Sequence, residues 1–260
     1  MKTALVTGAS SGIGEAFARE LASRKTDLIL VARSQDKLEK LATELSNTYQ
    51  IETEVIVRDL TEPAAGQAVF DAVSAKGWTV DLLINNAGFG DYGAFSDRPL
   101  DKQLAMVQLN IMAVVELTGW FLPLMQQRQN GAIVNVSSIA GFQPIPYMSV
   151  YAASKAFILN FSEALWAENK DSGVRILVAC PGPTESKFYD RADFPDSATG
   201  LNSMTMASAE KVVRDTLAAL DKGQSTVVGG GFANQIIVNL PRLLPRDVLV
   251  SVVGKQFKNI

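Results

Sequence analysis

The sequence predicts an α/β fold: a single-domain, Rossmann-type doubly wound parallel sheet of about seven strands with helices on both faces. Short apolar runs alternate with longer helix-period segments from the first residues onward. The strand runs are apolar at successive positions, the pattern of strands covered on both faces. Thr3–Thr7 reads as the first strand and Ile13–Arg24 as the helix after it. Asp27–Ala32 is the second strand, followed by a helix over Gln35–Thr48. Glu54–Arg58 and Ala64–Lys76 form the third pair, and Leu82–Asn85 with the long helix Gln103–Gln126 the fourth. Ala132–Ser137 leads to a helix over Val150–Asn169. Arg175–Cys180 is the sixth strand and Thr226–Val228 a short seventh.

No linker, repeat or composition break divides the chain, so residues 1–260 form one domain. Two regions break the alternation. Residues 185–207, polar with Pro195, Gly200 and scattered aromatics, read as a substrate lid. The tail 232–260 mixes apolar residues with Arg242, Arg246, Lys255 and Lys258 and reads as amphipathic helices packed on the domain, another subunit or a membrane surface, the first being favoured.

Composition narrows the function. The net charge of −3 gives no basic footprint, so nucleic acid is not expected as a partner. Cys180 is the lone cysteine, set in an apolar run, and no paired-cysteine metal spacing exists. Met1–Thr7 is too short an apolar run for a signal peptide, and no stretch reaches the length of a membrane-spanning helix. A cytoplasmic location is expected.

The chain has no histidine, which removes the usual proton carrier near pH 7, the Ser-His-Asp triad and any histidine metal site. Tyr151 and Lys155 offer a substitute. Four residues apart on a helix, they share a face, and a nearby ammonium is expected to lower the phenol pKa.

Thr7-Gly8-Ala9-Ser10-Ser11-Gly12-Ile13-Gly14 joins the first strand to the first helix. Glycines there let the backbone approach a pyrophosphate, whose charge the helix N-terminus favours. Where an NAD site usually carries an acidic residue, the second strand ends in Ala32-Arg33-Ser34, which favours NADP.

Taken with Asp59-Leu60, Asn85-Asn86-Ala87-Gly88, Asn110, Ser137-Ser138, Tyr151-x-x-x-Lys155 and Pro181-Gly182, in that order, the chain resembles the short-chain dehydrogenase/reductase family over nearly its whole length. The resemblance implies that Gly8, Ser10, Ser11, Gly12, Ile13, Gly14, Arg33, Asp59, Leu60, Asn86, Ala87 and Gly88 bind the cofactor. Tyr151, Lys155, Pro181 and Gly182 join them. Thr184 and Ser186 both stand near a position that bonds the nicotinamide carboxamide, and either is a candidate. It further implies Asn110, Ser138, Tyr151 and Lys155 as the catalytic set, with Ser138, Tyr151 and Tyr147 facing substrate. Ser137 is expected to face the sheet. Asn110 is expected to distort its helix and hold a water in a proton relay with Lys155.

The expected activity is NADPH-dependent reduction of a ketone or aldehyde, or the reverse alcohol oxidation, by a homodimer or homotetramer. Two rivals are a reductase of 3-oxoacyl or other lipid-like carbonyls and a non-catalytic NADP-sensing protein. Phe89, Tyr92, Phe95, Phe142, Tyr147, Phe188, Tyr189 and Phe194 fall near the expected pocket and suit an apolar substrate.

Overall fold

A computed structural model describes residues 3–185, 188–195 and 206–258. Seven parallel strands form one sheet: β1 (Thr3–Thr7), β2 (Asp27–Ala32), β3 (Thr53–Val57), β4 (Leu82–Asn85), β5 (Gly131–Val136), β6 (Val174–Cys180) and β7 (Thr226–Val228). Their spatial order is β3-β2-β1-β4-β5-β6-β7. The chain steps outward from β1 to β3, then returns to β1's other side with β4. A crevice therefore opens at the carboxyl ends of β1 and β4, where strand order reverses.

Every residue of β1, β4 and β5 is buried, as the uninterrupted apolar runs require. Helices α1 (Gly12–Ser23) and α2 (Gln35–Tyr49) pack on one face through Phe17, Leu21, Leu38 and Leu45. On the other face, α3 (Ala65–Ala75) packs Val69 and Val73 beside Leu117, Phe121 and Met125. Each such side chain taken from water contributes about 1.5–3 kcal/mol.

The long fourth helix is interrupted. Helix α4 (Leu100–Val107) and α5 (Ala113–Gln127) are joined by a π turn over Gln108–Met112, with Asn110 in the middle. The whole Leu100–Gln127 stretch is apolar enough and, at 28 residues, long enough to cross a bilayer by length and composition. This corrects the expectation that no stretch reaches that length, although Leu117, Phe121 and Met125 are buried against the sheet.

Helix α6 (Ser149–Glu168) carries Tyr151 and Lys155. A buried polar chain ties it to the sheet: Asn85 Nδ2 donates to Asn135 Oδ1 at 2.9 Å, and Asn135 Nδ2 donates to Ser162 Oγ at 2.9 Å. After β6 come the short α7 (Phe188–Arg191) and α8 (Ala209–Asp221). The tail forms α9 (Phe232–Asn239), a single 3-10 turn and α10 (Arg246–Lys258). Leu249 and Val253 of α10 bury against Met148, Tyr151 and Ala152, so the tail packs on the domain beside the crevice.

Candidate active site

At the carboxyl ends of the strands lies a cleft of about 480 Å3. Its nucleotide end is built from the β1–α1 turn. Gly8 and Gly12 hold φ of +66° and +58°, a region that disfavours any side chain. A Cβ on Gly14 would lie 2.3 Å from the Gly8 carbonyl oxygen, so α1 docks tightly on the turn. Asn86 Nδ2 donates to the Thr7 carbonyl, and the amides of Asn86 and Ala87 donate to Thr7 Oγ1, clamping the ends of β1 and β4 together.

Gly8, Ser10, Ser11, Gly12, Ile13, Asn86, Ala87 and Gly88 line this end, with Arg33, Asp59 and Leu60 beyond them. Gly14 packs behind the turn. Arg33 Nη1 lies 3.4 Å from Asp59 Oδ2 and is largely exposed. Burial alone would raise the Asp59 carboxyl, but the Thr61 amide and hydroxyl and Arg33 outweigh it and hold the pKa below the usual range.

Ser34 and Arg58 line the same end and escaped the sequence reading. Arg58 Nη1 reaches Glu62 at 3.5 Å, while its buried Nε has no hydrogen-bond partner. An arginine directly before the Asp59-Leu60 pair was the available signal. A backbone cradle that a Cβ would fill, with guanidinium donors beside it, fits the phosphates of a dinucleotide.

At the other end, Ser138 opens a 3-10 turn over Ile139–Phe142, its Oγ accepting the Ala140 amide at 3.1 Å. That turn presses on α6: a Cβ on Gly141 would lie 2.7 Å from the Lys155 carbonyl oxygen. Ser137 donates to the same carbonyl at 2.6 Å, its hydroxyl turned to α6. These contacts set Ser138 beside Tyr151, close enough for its hydroxyl to act on the phenol. Lys155 Nζ stands 5.8 Å from the Tyr151 ring centre and donates to the Val136 carbonyl at 2.9 Å.

Asn110 sits behind them, buried in the π turn. Its Oδ1 accepts the Phe89 amide, and its Nδ2 donates to the Phe89 carbonyl and Ser154 Oγ, at 3.0–3.1 Å. A Cβ on Gly88 would meet Asn110 Oδ1 at 2.9 Å and Lys155 Nζ at 3.5 Å, so the two side chains flank one bare backbone position.

The electrostatics depart from the sequence expectation. Burial pushes the Tyr151 phenol well above its ordinary value, and the nearby Ser138 hydroxyl only partly opposes this. Burial pushes Lys155 down to about 8. The expected lowering of the phenol by its lysine is therefore absent in the protein alone: a desolvated ammonium is itself disfavoured, so both groups lean toward their neutral forms. A phenol in that state holds its proton at neutral pH, as a proton donor must. Cys180 is buried and pushed up to about 12 by desolvation, an inert core thiol.

Pro181, Gly182 and Thr184 line the cleft, Thr184 donating to the Gly182 carbonyl at 2.9 Å. Ser186 lies outside the described residues, as does most of the expected lid. What is described of that segment is anchored firmly. The Tyr92 amide donates to the Ala192 carbonyl at 2.8 Å, and Asp193 pairs with Arg98 and Lys102, which also hold the buried Asp91.

Of the expected aromatics, Phe89, Phe188, Tyr189 and Phe194 line the cleft, with Phe188 centred 5.2 Å from Tyr151. Tyr92 and Tyr147 face each other at 6.2 Å outside the lining, and Phe95 is exposed on the surface. Phe142 packs in the cluster containing Cys180. From the tail, Ile237, Gln256 and Phe257 complete the far wall, and Tyr92 Oη donates to the Phe257 carbonyl. No group of metal-ligating side chains occurs among the described residues.

A dinucleotide cradle feeding a buried serine–tyrosine–lysine centre defines a nicotinamide-dependent oxidoreductase. The chain belongs to the short chain dehydrogenase family, whose model matches residues 2–193. It is 41% identical to a very-long-chain 3-oxoacyl-CoA reductase of Anas platyrhynchos, over 99% of this chain and 80% of that protein. Against the Bos taurus protein of the same description it is 37% identical and spans 58% of that protein's length. Among solved structures, a short-chain dehydrogenase from Sphingobium yanoikuyae in complex with NADPH superimposes with a TM-score of 0.82 at 30% identity, covering 100% of this chain and 96% of that one. Family members act on hydroxyl or carbonyl groups with a nicotinamide cofactor.

Proposed function

We propose that this protein is an NADPH-dependent carbonyl reductase in which Tyr151 is the general acid. The observation that carries the reading is the buried Tyr151 phenol, protonated and set beside Ser138, one helical turn from Lys155. Held by the β1–α1 turn and Lys155, NADPH would supply a hydride for the carbonyl carbon. Tyr151 gives its proton to the carbonyl oxygen, while Ser138 donates a hydrogen bond that stabilises negative charge developing there. Lys155 would hold the nicotinamide ribose, and Asn110, which fixes the Phe89 backbone, would hold the water that resupplies protons. Arg33, with Arg58 beside it, accommodates a 2′-phosphate, which favours NADP over NAD.

A second reading names the substrate class as 3-oxoacyl thioesters. The likeness to the Anas platyrhynchos reductase favours it, as does the wall formed by Phe89, Phe188, Phe194 and Phe257, which suits a long alkyl chain. Exposed Leu104, Met112, Trp120 and Phe157 on α4, the π turn, α5 and α6 offer apolar side chains for subunit pairing in a homodimer or homotetramer. The test is NADPH oxidation at 340 nm against a panel of ketones, aldehydes and 3-oxoacyl thioesters of rising chain length, repeated with NADH. Turnover that is faster with NADPH and rises with chain length supports both readings. Tight NADPH binding with no turnover of any carbonyl would point to the non-catalytic sensor.

A further inference from the structure

Four cationic side chains line the cleft among the described residues: Arg33, Arg58, Lys155 and Arg191. Three are engaged, Arg33 with Asp59, Arg58 with Glu62, and Lys155 with the Val136 carbonyl. Arg191 has neither a hydrogen bond nor an ion pair among the described residues, and its side chain is exposed. It stands at the end of α7, one turn along from Phe188, the ring that packs on Tyr151. Phe194, which also lines the cleft, follows it. A guanidinium with no partner among the described residues thus stands beside an aromatic wall of the cleft.

That helix is no loose flap. The Ala192 carbonyl accepts the Tyr92 amide, and Asp193 is held by Arg98 and Lys102, so Arg191 is presented from a fixed backbone. Among the described residues, the nearby acidic Asp193 is occupied by two other cations. A planar, charged fork with no partner among the described residues, set beside an apolar compartment, is suited to one kind of ligand group, a carboxylate or phosphate.

We infer that Arg191 recognises a negatively charged group carried by an otherwise apolar carbonyl substrate. The substrate class is then an amphiphile, with its alkyl part against Phe188 and Phe194 and its carboxylate or phosphate at Arg191. This inference rests on the reductase reading and specifies what that reductase selects.

Three substrates separate the sources of charge: a 3-oxoacyl-CoA ester, the N-acetylcysteamine ester of the same acyl chain, which is neutral, and a keto acid with its carboxylate at the far end of the chain. For the wild type, at least one anionic substrate should have a lower KM than the neutral ester. Arg191→Gln should raise that KM roughly tenfold with kcat little changed, the scale of one exposed charge-assisted contact, and leave the neutral ester and the KM for NADPH within about twofold. Arg191→Lys should recover part of the loss. Which anionic substrate responds identifies phosphate or carboxylate as the group read. An equal effect on charged and neutral esters, an effect on NADPH instead, or no effect at all would overturn the assignment while leaving the reductase reading intact. A wild type that reduces none of the three, nor any other carbonyl, would overturn both.

Discussion

Replacing Lys155 with methionine in the cofactor-free protein should invert the pH dependence of its relative stability. Lys155 is 6% exposed, and burial pushes its pKa from 10.5 to about 8. Between those values the unfolded chain keeps a proton that the native protein has released, so this group makes stability rise with pH across that window. Below pH 8 both states are protonated and the folded protein carries the whole penalty of a buried ammonium. At ~1.4 kcal/mol per pH unit, the gap amounts to roughly 3 kcal/mol. Methionine of similar volume removes that penalty but leaves the Val136 carbonyl unpaired, which costs about 1–2 kcal/mol. At pH 7 the variant should therefore be more stable by about 1–2 kcal/mol, a rise in Tm of roughly 3–6 °C for a chain of this size. By pH 10 the penalty has fallen to below about 1 kcal/mol, the lost hydrogen bond remains, and the advantage of the variant disappears or reverses. Tyr151 and Cys180, both pushed upward by burial, titrate in both proteins and largely cancel in the comparison. Thermal unfolding followed by circular dichroism at pH 7 and pH 10 reads the effect. A variant less stable than wild type by the same amount at both pH values would refute the reasoning.

Three further outcomes follow from the geometry. Arg33→Ala should raise the KM for NADPH about tenfold and leave that for NADH nearly unchanged, since only the phosphate contact is removed; equal loss for both would place Arg33 outside phosphate recognition. Gly14→Ala puts a methyl 2.3 Å from the Gly8 carbonyl oxygen, so nucleotide affinity measured by fluorescence titration should fall at least about tenfold; wild-type affinity would show that the turn has slack. Asn110→Leu deletes three buried or half-buried hydrogen bonds and should destabilise the fold by about 2–4 kcal/mol; an unchanged Tm would mean that Phe89 finds other partners.

The sheet was legible because its strands are buried on both faces, so their apolar runs stand out without reference to tertiary contacts. Leu82–Asn85 and Thr226–Val228 fall where the sequence places them. Spacing also brought Tyr151 and Lys155 together, because one helix fixes their relation locally. The sign of the phenol shift was not legible: it depends on how much water the fold excludes, a property of Ile145, Met148, Phe188 and the C-terminal helix together. For the same reason Gln256 and Phe257 gave no signal. They lie about a hundred residues from Tyr151 in sequence and reach the cleft only because Leu249 and Val253 pack against Met148 and Ala152. Arg58 was missed although its neighbour Asp59 was noted, because a strand-end arginine has no periodicity to distinguish it.

The most direct test of the central claim is to compare Tyr151→Phe with wild type in two assays on the same preparation, NADPH affinity and carbonyl-dependent NADPH oxidation. Loss of the proton at Tyr151 should lower kcat by at least about a thousandfold while NADPH affinity stays within about threefold. Turnover retained at more than a tenth of wild type would show that the proton comes from elsewhere.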